Sequence, residues 1–363
     1  MKYLLKWRLL LCACAAAWLL AGCGSQDGPK RVRLTYSIFF PSTHANSILA
    51  KEWAEELERR TKGRVHVDLF YASVLSGASE NFDCVVNGVS DLGMSCFAYA
   101  GGIFPLTEGL DLPLGYPDGK TATLIANEYL QKFHPPELED AHMLYIHAHG
   151  PGVLATKDPI EKIDDLRNMA IRGTGITARV VKALGGNAIG MPQGDTYEAL
   201  HKGVVKGTVC PIETLKGWKQ GEAINHVTKV PAIGYTTSMY VVMNKKTWNK
   251  LPPDIQKIIE ELCQEWIPKH GAAWDEADRA GYAFVKSLGK SYHKISNTEN
   301  ARAEKLLEPM LEAWAKQAEA RGVPGRELIR FCKERIKFYE SKGITPPYPY
   351  DLDAAQPGLK EGK

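Results

Sequence analysis

Arg172 ends a short apolar run, Met169-Ala170-Ile171-Arg172, that reads as a strand. An arginine in that place has two uses. It can neutralise a nearby acid as a structural ion pair, or it can stand at a sheet end above a cleft and offer two parallel N–H groups to a carboxylate. His147 and His149 flank Ala148, so on a strand both imidazoles share a face. Such a pair could hold a metal, but a metal needs a third or fourth ligand, and none stands nearby in the sequence. The expectation is a hydrogen-bonding or structural role, with no metal and no cofactor. His149 is the better ligand candidate because it borders Gly150-Pro151-Gly152. Glu213, two residues after Pro211, either accepts a ligand hydroxyl or ammonium or is a first-turn acid favoured by a helix dipole.

Catalytic arrangements are missing from the chain. It has no G-x-S-x-G elbow, no G-x-G-x-x-G after a strand and no P-loop. An exported enzyme on an α/β scaffold would want a nucleophile with a base, paired acids or a metal set, so the chain is not expected to be an enzyme. Five cysteines follow the first 23 residues: Cys84, Cys96, Cys210, Cys263 and Cys332. Five cannot all pair internally, and none has C-x-x-C spacing, so they read mainly as small buried hydrophobes.

The elements around these residues alternate. Val32, Leu34 and Tyr36 fall on every second position, the period of a strand with one face buried. Pro41 to His44 breaks that strand, and Asn46 or Ser47 is placed to cap the next helix. Val65, Val67 and Leu69 form a second strand after Gly63; a helix over 80–89 and a strand over 91–97 follow. This βαβα order predicts an α/β sheet with parallel pairs. A helix spans about 118–133, a strand 142–149, and Pro151-Gly152 marks a crossing to a second βα series. That series places strands at 169–172 and 188–191 and helices at 176–184 and 196–205. Residues 227–243 are again strand-rich. From Leu251-Pro252-Pro253-Asp254 the chain is helical: a long helix runs toward Leu288 past Pro268, then helices cover 303–319 and 324–341.

The N-terminus decides the compartment. Lys2, Lys6 and Arg8 precede an apolar run from Leu9 to Leu20, about twelve residues where a spanning helix needs ~20. This reads as an export signal and not a transmembrane segment. Leu20-Ala21-Gly22-Cys23 resembles the lipobox of bacterial lipoproteins, which implies lipidation of Cys23 and cleavage before it. The next residues, to Pro29, read as a flexible tether. The 363-residue chain has 45 basic and 42 acidic side chains, and the three basic residues of the leader account for the excess. The mature chain is balanced, so charge gives no case for nucleic acid. It is long enough for about two domains.

The stretch from Ile163 to Pro211 carries the family signal. It contains Asp165-Leu166-Arg167-Asn168-Met169-Ala170-Ile171-Arg172, then Ala183-Leu184-Gly185-Gly186, Met191-Pro192, Tyr197-Glu198-Ala199-Leu200 and Gly203-Val204-Val205-Lys206-Gly207. In order and spacing this resembles the substrate-binding proteins of TRAP transporters, the DctP-type family. Thr61 to Phe70 and Val242 to Ile259 fit the same family, so the resemblance covers nearly all of the mature chain. It implies an α/β, two-lobed clamshell of the periplasmic-binding-protein kind with a long helix spanning both lobes. The implied division is a signal peptide at 1–22, a lipid-anchored tether at 23–30, lobe I at 31–149 with 240–275 returning to it, lobe II at 150–239 with 276–345 completing it, and a tail at 346–363. The implied role is that of a periplasmic binding protein, anchored to the inner or outer membrane. It would capture a small organic acid by lobe closure and pass it to the small and large TRAP membrane subunits, and it is expected to be a monomer.

In the resemblance Arg172 takes the position of the carboxylate-clamping arginine. Other positions carry over as cleft candidates: Phe40 and His44 after the first strand, Ser95 and Cys96 at the end of the third, His149, Gln193 after Met191-Pro192, Cys210, Glu213 and Tyr235. The departures point to the ligand. Gly152 stands where many members have a second arginine, and Cys210 where many have an asparagine. With one clamp and less polar surroundings, the expected ligand is a monocarboxylate, aromatic or otherwise apolar. The binding subunit of an ATP-driven importer and a ligand sensor share the clamshell and are the nearest rivals.

Overall fold

The computed structural model describes residues 31–343; the leader and tether at 1–30 and the tail at 346–363 lie outside them. The chain opens with β1 (Val32–Ile38), α1 (Ala45–Arg60), β2 (Val65–Phe70), α2 (Asn81–Val86), β3 (Leu92–Cys96), α3 (Gly119–Phe133) and β4 (Ala141–Ala148). It continues through β5 (Gly152–Thr156), β6 (Ala170–Arg172), α4 (Ile176–Ala183), β7 (Asn187–Ile189), α5 (Gln193–His201), β8 (Gly207–Pro211), α6 (Thr214–Gly217) and β9 (His226–Lys229). It ends with β10 (Ser238–Asn244), α7 (Lys245–Lys250), α8 (Pro253–Ser287), β11 (Ser291–Lys294), α9 (Asn297–Glu319) and α10 (Gly325–Ser341).

The strands form two sheets, ordered β2-β1-β3-β10-β4 and β11-β9-β5-β8-β6-β7. In the first, β1 pairs parallel with β2 and β3, as the βαβα alternation requires. In the second, β6 pairs parallel with β7 and β8. The strand-rich stretch after Val227 splits between the sheets: β9 belongs to the second, while β10 enters the first antiparallel between β3 and β4. All seven residues of β10 are buried, which is why its sequence is apolar on both faces. β11 escapes sequence reading because its four residues are polar or half-exposed, and a short edge strand shows no apolar period.

The cap of α1 differs from expectation. His44, not Asn46 or Ser47, is the N-cap, and its Nδ1 accepts from Asn46 N at 3.2 Å. The turn that starts at Pro41 closes with His44 N donating to Pro41 O at 3.0 Å, so Asn46 and Ser47 already lie in the first helical turn. Both are drawn inward, Ser47 donating to Phe40 O and Asn46 meeting the His270 ring.

Two crossings join the sheets, between β4 and β5 and between β9 and β10. They are stapled together. Thr236 Oγ1 donates to His149 O at 2.6 Å, Thr237 N donates to His149 Nε2 at 2.9 Å, and Gly152 N donates to Tyr235 O at 3.3 Å. The third link is α8, 35 residues and therefore about 52 Å long. It continues through Pro268 as one helix. One stretch packs on α1, α3 and β4, and another on α6 and β11, so it braces both lobes.

Candidate functional site

Arg172 is the last residue of β6, with Ile189 of β7 on one side and Thr208 of β8 on the other. Strand ends of open α/β sheets are where clefts form, and Arg172 faces one while being only 5 % exposed. Its Nε and Nη2 both donate to Met191 O, at 3.1 and 3.0 Å. The backbone carbonyl therefore fixes the guanidinium plane without neutralising it. Among the described residues no Asp or Glu forms an ion pair with Arg172. A buried cation without a directly bonded acid is costly, and the one carboxylate that lines the same cavity, Glu213, forms no ion pair with it.

His149 lines the same cavity, but both its ring nitrogens are engaged. Nε2 accepts from Thr237 N, so Nδ1 carries the proton and donates to Gly150 O. The ring is neutral: burial, with a smaller contribution from Arg172, lowers its pKa to about 4. It offers the cavity an imidazole face and an apolar edge, while its nitrogens hold the hinge.

The expectation of a second arginine-free wall has a physical basis at Gly152. A Cβ at that position would lie 1.9 Å from Tyr235 Cε1, so the Tyr235 ring fills the volume that a side chain at 152 would occupy. Tyr235 is fully buried and lines the cavity. An aromatic ring thus stands where a second cation would be.

The remaining walls are aromatic and come from both lobes. Phe39 and Phe40, after β1, have centroids 3.9 Å apart. Trp218, just beyond α6, lies 5.9 Å from each, nearly parallel to Phe39. Trp274 of α8 closes the floor, its centroid 6.2 Å from Phe40, with its indole donating to His147 Nδ1 at 3.0 Å. Tyr99 reaches across from the first lobe, and Gln193 N donates to its hydroxyl at 3.1 Å. Residues of both lobes thus line a cavity of about 30 Å³, roughly two water-sized spheres.

Of the residues singled out in the sequence, Phe40, Cys96, His149, Arg172, Gln193, Glu213 and Tyr235 line this one cavity. His44 stands directly behind, its Nε2 3.0 Å from Glu213 Oε2. Ser95 does not join them: it donates to Ala78 O at 2.7 Å, because adjacent strand residues point to opposite faces. Cys210 packs into a small apolar core with Val153, Ile212 and Leu215, where burial pushes its thiol up to about 12. His147 is buried and stacked on His270, centroids 3.7 Å apart, and among the described residues no cluster suited to a metal occurs. Sequence reasoning missed Tyr99, Trp218 and Trp274. Their only signal was aromatic type near strand ends and along the long helix.

A family model described as bacterial extracellular solute-binding protein, family 7, matches residues 36–317. The chain is 26% identical over 277 residues to the C4-dicarboxylate-binding periplasmic protein of Rhodobacter capsulatus, covering 74% of this chain and 82% of the relative. Two crystal structures of TRAP solute-binding proteins share the fold closely. The one from Rhodoferax ferrireducens, in complex with copurified benzoate, is 26% identical with a TM-score of 0.81, covering 86% of this chain and all of that one. The one from a marine metagenome, specific for aromatic acid ligands and in complex with metahydroxyphenylacetate, is 27% identical with a TM-score of 0.82, covering 85% and 100%.

Proposed function

Since the chain belongs to family 7 of the bacterial extracellular solute-binding proteins, we propose that its own ligand is a small monocarboxylate with an aromatic or otherwise apolar body. The observation that carries this reading is Arg172: a 5 % exposed guanidinium with no acid partner among the described residues, facing a cavity walled by aromatic rings. Its fork suits one carboxylate, and the apolar walls suit a flat body. The benzoate and metahydroxyphenylacetate bound by the two similar proteins have this composition. A second carboxylate would meet the Tyr235 ring where Gly152 leaves no room for a cation, which disfavours C4-dicarboxylates.

Residues 31–149 with 240–275, and 150–239 with 276–345, act as lobes that close when the ligand touches both. A ligand shifts that equilibrium only through contacts the closed form adds. The loaded protein is passed to the small and large TRAP membrane subunits. Cys23 carries a lipid that keeps the protein at the membrane, a reading supported by Leu20-Ala21-Gly22-Cys23.

The test is a thermal-shift screen of the fragment beginning at Gly24. A ligand at 100 times its dissociation constant adds about 2.7 kcal/mol of stability, enough to move a melting curve visibly. Benzoate-like monocarboxylates should stabilise and succinate should not. Stabilisation by sugars or amines, with no acid active, would make Arg172 structural and the substrate class wrong.

A further inference from the structure

Capture of a carboxylate by Arg172 leaves the one acidic group that lines the cavity, Glu213, unused. Glu213 is 3 % exposed and lines the same cavity. It is held there from behind, its backbone N–H donating to Asp278 Oδ1 at 3.1 Å. The Thr214 hydroxyl donates to its Oε1 at 2.9 Å, and His44 Nε2 lies 3.0 Å from its Oε2. The direction of that second bond follows from the other ring nitrogen. His44 Nδ1 accepts the Asn46 N–H, so the imidazole proton sits on Nε2 and points at Glu213. Both carboxylate oxygens are therefore acceptors, each with one donor.

A carboxylate offers about four lone-pair positions, so two remain open on a group that is almost wholly out of water. Among the described residues no Lys or Arg pairs with Glu213; the basic side chain beside it is the His44 imidazole, which donates one hydrogen bond. The backbone of α6 covers the pair from one side: a Cβ on Gly217 would fall 2.8 Å from Glu213 Oε2 and 3.0 Å from His44 Nε2. Water cannot reach the pair from that side, and the cavity is where the open positions can be filled. Buried acceptors in this condition call for a donor.

We propose that Glu213, oriented by His44, is a second recognition point that accepts a hydrogen bond from a hydroxyl or amino group on the ligand, away from the carboxylate held by Arg172. This rests on the monocarboxylate reading above and narrows it to acids that carry a hydrogen-bond donor. The arrangement also links recognition to closure. His44 caps α1 in the first lobe and Glu213 follows β8 in the second, so the acceptor is aligned only when the lobes meet. A substituent that can only accept, such as a methoxy group, would set its lone pairs against those of Glu213 and lose the contact.

The experiment is isothermal titration calorimetry with benzoate and its 3- and 4-hydroxy, amino and methoxy derivatives, on the wild type and on Glu213→Gln. A hydrogen bond to a charged acceptor corresponds to about 10- to 100-fold in affinity. At one ring position the hydroxy and amino acids should bind tighter than benzoate by that factor, and the methoxy acid should not. Glu213→Gln replaces one acceptor oxygen by an NH2 donor and should shrink the ratio toward one. If that variant does not fold, the wild-type ranking of hydroxy against methoxy decides alone. Equal binding of benzoate, hydroxy and methoxy acids at both positions overturns the inference and leaves the monocarboxylate reading standing, as does an unchanged ratio in folded Glu213→Gln. Absence of binding by every acid overturns the reading underneath, and the inference with it.

Discussion

The Arg172 guanidinium is oriented by a neutral carbonyl, Met191 O, through two of its donors, so the remaining donors and the whole charge stay available. Truncating one partner of a buried charged contact costs about 2–5 kcal/mol. Arg172→Ala should therefore weaken benzoate, or whichever acid the screen identifies, by that amount. Arg172→Lys keeps the charge but not the fork and should fall between. Unchanged affinity in a folded Arg172→Ala protein, measured by calorimetry, would exclude this residue as the clamp. Arg172 was legible because a cation at the end of an apolar strand, within a family-like run of motifs, has few places to point. The choice between Ser95 and Cys96 was not, since strand alternation sends one inward and the other away, and register is fixed only once β10 pairs with β3. Tyr99, Trp218 and Trp274 converge from three distant stretches of chain, a proximity that no local pattern encodes.

At the scale of elements, period and punctuation carried most of the fold. The alternation in β1 and β2, the Pro-initiated start of α8 and the Gly-rich crossing after His149 all follow from local chemistry. The antiparallel insertion of β10 does not, because a strand with a wholly apolar middle, Met239 to Met243, fits the centre of either sheet. The cap of α1 lies two or three residues before the expected Asn46 or Ser47 because a histidine is a rare cap, and only the turn from Pro41 and the pull of Glu213 and Asn46 on its ring select it. The one element that must be tested by its sequence is the leader. With Cys23 as acceptor, Cys23→Ser should move the protein from the membrane fraction to the soluble periplasmic fraction without changing acid binding. A wild-type protein already soluble, at the mass of an unmodified chain, would show that no lipid is attached.

Across the whole molecule, buried titratable groups of two kinds pull stability in opposite directions with pH. Burial lowers His149 to about 4 and His270 to about 3, and burial with the neighbouring His270 holds His147 well below the usual imidazole range. Each of these is neutral when folded but binds a proton below about pH 6.5 when unfolded. Their contribution is present above that pH and is lost as pH falls toward the folded values. Asp111 and Asp275 do the reverse. Burial raises Asp111 to about 8 even though Ser238 donates to it twice, and burial together with Asp118 raises Asp275 to about 7. Both hold a proton in the fold that the unfolded chain releases above about pH 4, so their contribution is present at low pH and fades as pH rises through 7 and 8. His142, lowered by burial to about 4, adds to the histidine side, and near pH 5 the histidines outweigh the two acids, so stability rises with pH there. Near pH 7.5 the unfolded histidines are mostly neutral, the acids dominate and the slope reverses. Stability should therefore peak between about pH 6 and 7, read as a maximum in melting temperature across pH 4.5 to 8.5. Asp111→Asn removes the largest source of the alkaline decline and should flatten that limb while steepening the acid limb, where Asp111 opposes the histidines. A melting temperature that rises steadily through pH 8 in the wild type would mean that the buried acids are ionised in the fold and that the hinge around Ser238 is held by charge.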